Sequence, residues 1–210
     1  MYFNHKHKIV IQHVQKTGGT SLLYSLGKNK KSIEISGNEP LCPFGMHLTY
    51  SDLKKIDYQL YEDVKDNWLK ISTVRNPWDH AVSRYFHFID DKRLKVYNLH
   101  HPIEKYSSFE FYLNEIYDHK KQDIMTFECE NFMVDRWIRF ETIESDWLRT
   151  IKKLDFKYTE LVKHNVTNDR SNYFNYSKPD DYREMYLNDD MIELVMKKSQ
   201  KTIDLLGYTF

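Results

Sequence analysis

Residues 9–23 read IVIQHVQKTGGTSLL, and the fold turns on them. Ile9, Val10 and Ile11, followed by His13 and Val14, form an apolar run suited to a strand covered on both faces, as in a parallel sheet. The Gly18–Gly19 pair ends that strand in a turn, and Thr20 to Leu26 reads as a helix. Strand, glycine turn and helix start together aim several backbone N–H groups at one point, where the helix macrodipole adds partial positive charge. Gly18 and Gly19 present no Cβ, so the backbone can approach an anion closely. Lys16 adds a full charge, and the hydroxyls of Thr17, Thr20 and Ser21 sit in the same stretch. Taken alone, the loop leaves two readings open: an anion seat, and a tight turn with an exposed lysine.

The loop is not a Walker A motif. That pattern, G-x-x-x-x-G-K-[ST], places its lysine after the glycines, directly before the Ser or Thr that holds magnesium. In this chain Lys16 precedes the glycines.

Outward from the loop, strands continue to alternate with helices. Ser32–Ile35 is a short second strand and Trp68–Val74, WLKISTV, a third. Asn76 then caps a helix that has Pro77 at its first position. Its apolar stripe is Trp78, Ala81, Val82, Tyr85, Phe86 and Ile89. Ser107 or Ser108 opens a helix to about Tyr117. Trp137–Phe140 is a short strand and Ser145–Leu154 a helix. A last helix starts after Asn188, buries Ile192, Val195, Ile203 and Leu206, and stops at Gly207. The expected fold is α/β, P-loop-containing, with a parallel central sheet flanked by helices on both faces. Residues 92–130 fit this pattern least, either as an insertion that shapes a second binding site or as a surface excursion.

Composition narrows the function classes. The 210 residues suffice for one domain with a real core, and no repeat or low-complexity linker divides them. Thirty-one basic residues balance thirty-one acidic ones, which argues against non-specific nucleic-acid binding, since that needs a dense positive field. Cys42 and Cys129 are the only cysteines, too few for a disulfide scaffold or a four-cysteine zinc site. No run approaches the roughly 18 apolar residues of a membrane span. MYFNHKHKIVIQHV lacks the long apolar core and small-residue cleavage site of a signal peptide. Cytoplasmic localisation is the expectation.

A second motif, TVRNPWDHAVSRYFHF, occupies residues 73–88. Arg75 falls at the carboxyl end of a strand, where open α/β sheets bind ligands. Ser83 lies eight positions on, off the apolar stripe. A guanidinium and a hydroxyl so placed can hold one phosphate, with bidentate geometry available from the arginine. The plainer alternative is an ordinary surface Arg and Ser. Two anion seats on one sheet imply a ligand with two separated phosphate groups.

KTGGTS after the first strand, together with RNPWDHAVSRYFH after a later one, resembles the sulfotransferase family that uses 3′-phosphoadenosine-5′-phosphosulfate (PAPS). RFETIESDW (139–147), LVKHN (161–165) and LLGYTF (205–210) are similar to its carbohydrate and bacterial branches. The resemblance implies that Lys16, Thr17, Gly18, Gly19, Thr20 and Ser21 bind the 5′-phosphosulfate. It implies that Arg75 and Ser83 bind the 3′-phosphate. It further suggests that residues 163–173 close over the nucleotide, with Arg170 as a further 3′-phosphate contact; a solvated loop is the alternative.

The implied reaction passes a sulfuryl group in line to an acceptor hydroxyl, expected on a carbohydrate, and releases 3′-phosphoadenosine-5′-phosphate (PAP). Lys16 would neutralise the bridging oxygen as its bond breaks. Histidine suits a general base near neutral pH, and His47 in GMHLTY is the first choice of ten histidines, with Glu39 and His80 as fallbacks. A surface or capping role for His47 is the alternative. His13 is expected to buttress the loop, and Arg139 to support the sheet edge or touch the donor. No metal is called for. The competing classes are a P-loop nucleotide kinase or NTPase, which needs a magnesium site and a different lysine order, and a non-catalytic nucleotide-binding protein of the same fold. Acceptor identity and oligomeric state stay open.

Overall fold

Ile9–Gln12 forms the centre of a four-stranded sheet and is buried along its whole length. The computed structural model describes residues 1–25, 48–89, 103–117, 134–154, 161, 170–171 and 176–210. In chain order its elements are β1 (Tyr2–Asn4), β2 (Ile9–Gln12), α1 (Gly19–Ser25), α2 (Tyr50–Ile56), α3 (Tyr58–Asn67), β3 (Leu69–Val74) and α4 (Pro77–Phe88). Then come α5 (Phe109–Tyr112), β4 (Arg136–Arg139), α6 (Ile143–Lys152), β5 (Arg170–Ser171), β6 (Tyr176–Ser177), α7 (Asp189–Lys198) and α8 (Gln200–Leu206). The expected strand at 32–35 and most of the 92–130 stretch lie outside the described residues, as do Glu39, Cys42, His47 and Cys129.

Chain contacts group the molecule into two compact units: Met1–Arg75 with Met125–Asn165, and Asn76–Ile124 with Val166–Phe210. The first unit holds the sheet, in the order β1-β2-β3-β4. β2 pairs parallel to β3, and β3 parallel to β4. The expected all-parallel sheet needs one correction, because β1 pairs antiparallel to β2. The NHKHK turn explains it: Asn4 Oδ1 accepts from the His7 N–H at 3.1 Å, and Lys8 takes a left-handed φ of 50°. The chain therefore reverses within four residues.

The strand period of two sorts the core onto two faces. Val10 packs with Met1, Phe3, Leu53, Tyr61, Val64 and Trp68, which covers one face with α2 and α3. Ile9, Ile11, Ile71 and Ile138 pack with Leu22, Leu23, Trp147 and Ile151, which covers the other with α1 and α6. Helices thus flank the sheet on both faces, as expected. Trp147 Nε1 donates to Ser25 Oγ at 2.8 Å, and Ser25 in turn donates to the Leu22 carbonyl, fastening α6 to α1. At the end of α3, Asp63 accepts from Trp68 Nε1 at 2.7 Å and Asn67 Nδ2 at 2.9 Å. These bonds hold its carboxyl below the usual carboxylate range.

The second unit is built on α4. Asn76 Oδ1 accepts from the Trp78 N–H at 3.0 Å, with Pro77 at the first helical position, so the cap is the one the sequence announces. Every residue of the expected stripe is buried. Trp78 Nε1 donates to the Ile192 carbonyl, and Tyr186 donates to the Trp78 carbonyl, each at 3.0 Å. Burial of Tyr186 pushes its phenol well above the ordinary tyrosine range. Ser108 caps α5, which runs into a π turn over Leu113–Tyr117.

Three sequence boundaries move. The terminal helix is two helices, because Ser199 leaves helical geometry at φ −115° and ψ 19°. That break rotates the inner face: Met191, Val195 and Thr202 are buried, whereas Ile192, Ile203 and Leu206 are half-buried. Gly207 does end it, at φ 67°. The fourth strand stops at Arg139, and α6 begins at Ile143.

Candidate functional site

Parallel pairing sets the carboxyl ends of β2 and β3 side by side, with Gln12 opposite Ser72. The chain leaves β2 through a loop whose shape is fixed by two left-handed residues, Lys16 at φ 67° and Gly18 at φ 81°. Lysine there carries a Cβ penalty of roughly 1–2 kcal/mol, which neighbouring bonds must offset. One such bond is Thr17 Oγ1, fully buried, which donates to the Val14 carbonyl at 2.7 Å. Its single proton is thereby committed, so the 2.5 Å contact with Thr73 Oγ1 has Thr73 as donor. The loop is thus tied to the last turn of β3.

Gly19 is required by what packs on it, and Gly18 by its left-handed φ of 81°. A methyl group placed on Gly18 would lie 2.7 Å from Ile143 Cδ1 and 3.1 Å from Phe140 Cδ2. One placed on Gly19 would lie 2.7 Å from His13 Cγ, inside the ring's contact surface. His13 is 4 % exposed, so it buttresses the turn, as the sequence suggested. Ser21 N–H closes the turn onto the Gly18 carbonyl at 3.0 Å, and α1 follows.

Arg75 immediately follows β3, and its Nη1 donates to the Lys16 carbonyl at 3.1 Å. Its guanidinium carbon sits 4.0 Å from the centroid of the Phe140 ring. The arginine is 5 % exposed, and Lys16 is half-buried. The structure therefore brings together Lys16, Thr17, Gly18, Gly19 and Arg75, and Thr20 and Ser21 begin the helix leaving the loop.

The remaining expected residues lie on other elements. Ser83 and His80 belong to α4 in the second unit, 7 % and 0 % exposed. Ser83 lies off the apolar stripe of α4 and is itself buried, and no residue from Pro77 to Phe88 is exposed. Arg170 pairs with Ser177 across β5 and β6. Arg139 ends β4, and its backbone N–H donates to Asp146 Oδ2 at 3.1 Å. Among the described residues no His, Cys, Asp and Glu cluster could hold a metal ion, and no helix is long and apolar enough to cross a membrane.

Sequence reasoning missed Thr73 and Phe140. Thr73 carries no signal beyond its place at a strand end. Phe140 was read as the last residue of a strand, whereas it opens a short 3₁₀ turn, Phe140–Thr142.

A mostly parallel sheet flanked by helices, with a lysine, hydroxyl side chains, a glycine turn and an arginine at adjoining strand ends, defines an α/β protein with a candidate site at those ends. Residues 1–198 match the model of the Sulfotransferase family, and the protein belongs to that family. Its general chemistry is accordingly the transfer of sulfuryl groups. No curated protein and no solved structure gives a significant match to the chain.

Proposed function

We propose that the protein is a PAPS-dependent sulfotransferase whose residues 1–210 form a single sulfotransferase-like domain and whose acceptor is a hydroxyl, on a carbohydrate. The observation that carries this reading is the hydrogen bond from Arg75 to the Lys16 carbonyl. It joins the two motifs at neighbouring strand ends, where one doubly charged nucleotide can meet both. The residues fit such a donor: from His13 to Ser21 there is a lysine and three hydroxyls but no acidic side chain.

In this reading the loop from Lys16 to Ser21 is a phosphate-binding loop that receives the phosphosulfate. Arg75 receives the 3′-phosphate. An acceptor oxygen attacks sulfur in line, forming the new S–O bond while the bond from sulfur to the bridging phosphate oxygen breaks. The electron pair of that bond leaves on PAP, and Lys16 stabilises the charge. The acceptor proton passes to His47, the general base. As in phosphoryl transfer, the protein's contribution is mainly positioning and charge stabilisation.

Thermal denaturation with added nucleotides tests the donor assignment. PAP should raise the midpoint well above the rise given by AMP, which lacks the 3′-phosphate. Equal rises would remove the 3′-phosphate seat and the donor assignment with it.

A further inference from the structure

We propose that Phe140 is a positioning residue for the donor site, a flat shelf that fixes the guanidinium of Arg75 and at the same time roofs the glycine turn. The inference rests on the donor reading above and extends it to a residue outside both motifs.

The ring has two neighbours of opposite kind. Its face lies 4.0 Å from the guanidinium carbon of Arg75, the range in which a cation is held by an aromatic quadrupole. Its edge reaches Gly18, where an added methyl would come within 3.1 Å of Cδ2 and 3.5 Å of Cε2. One planar side chain therefore limits both the rotation of Arg75 and the space above the loop. Arg75 closes the circuit through its bond to the Lys16 carbonyl.

The ring is itself held. Asp146 Oδ2 accepts from the Arg139 N–H at 3.1 Å and from Thr142 Oγ1 at 2.9 Å, so the residues on either side of Phe140 are fastened to one carboxylate on α6. Phe140 is nevertheless 36 % exposed. A large apolar ring at the rim, pinned at its base and stacked on a nearly buried cation, is placed for orientation more than for core burial. A guanidinium with its face on a ring and an N–H on a carbonyl has its orientation fixed in one plane. That is the geometry for two-point recognition of a phosphate.

The test compares wild type with Phe140→Ala, Phe140→Leu and Phe140→Tyr, measuring Kd for PAP and for AMP by titration calorimetry and KM and kcat for the donor. The expected wild-type result is tighter binding of PAP than of AMP. Phe140→Leu keeps apolar volume but has no ring face; it should shrink the PAP-to-AMP affinity ratio on the order of tenfold. It should also raise KM more than it lowers kcat. Phe140→Ala should do the same or more, and Phe140→Tyr should restore the wild-type ratio. A leucine variant with an unchanged ratio would overturn the shelf, because the ring would then be packing only. A wild type that does not distinguish PAP from AMP would instead overturn the donor reading.

Discussion

β2 and β3 are neighbouring parallel strands, and each delivers a motif at its carboxyl end by opposite means. β2 leaves the sheet through backbone geometry: two left-handed residues, two glycines and a buried threonine hydroxyl determine the loop. β3 leaves through side chains: Arg75 reaches back to the loop, and Asn76 with Pro77 turns the chain into α4. The first exit tolerates almost no added atom. The second depends on particular polar groups. A site of this kind has one half set by what is absent and one half set by what is present.

The comparison breaks most visibly at Lys16. Lys16→Gly removes the ammonium and the Cβ penalty at φ 67° together. Transfer should fall by about 10²–10³ while the thermal midpoint holds or rises. Rate measured beside denaturation checks both, and a parallel loss of stability would mean the charge is structural. Gly19→Ala comes next. The new methyl meets the His13 ring, and overpacking of this kind costs about 2–3 kcal/mol in urea denaturation. A neutral result would mean the His13 ring yields and the loop is less constrained than its geometry implies.

Thr17→Val sharpens the comparison by cutting the tie between the exits. It leaves the Val14 carbonyl and the Thr73 hydroxyl without their partner, and should cost about 1–2 kcal/mol. The paired variant Thr17→Val with Thr73→Val should recover part of that loss, as a double-mutant cycle would reveal. Asn76→Ala has the smallest effect. Loss of the cap bond to Trp78 should cost about 1 kcal/mol, with the bond from Nδ2 to the Thr209 carbonyl lost as well. Urea denaturation beside the wild type checks this, and an unchanged midpoint would mean the cap bond is dispensable.

Much of this was legible in the sequence because it rests on period and residue type. The IVI run, the Asn-Pro cap and the buried stripe of α4 each have a local signature. β1 was not legible: three residues ahead of a basic turn carry too little pattern to mark a strand. The break at Ser199 was hidden because serine is no helix breaker by type; only its dihedrals mark the end of α7. At the candidate site, Lys16 and Arg75 are singled out by their charge and place. Their junction was not, because the acceptor is a backbone carbonyl and every residue has one. Phe140 escaped because an aromatic after a strand reads as more strand, and the carboxylate that turns the chain there is six residues further on.

The short antiparallel β1 has a consequence for handling the protein. It occupies one side of β2, an uncharged and largely apolar IVIQ segment that would otherwise offer an unpaired row of N–H and C=O groups to another chain. Among the described residues the opposite border is β4, which begins and ends with arginine and is guarded by charge. Removal of Met1 to Asn4 would expose one border and leave the other protected, so a shortened chain should precipitate through β2 even where its site is intact.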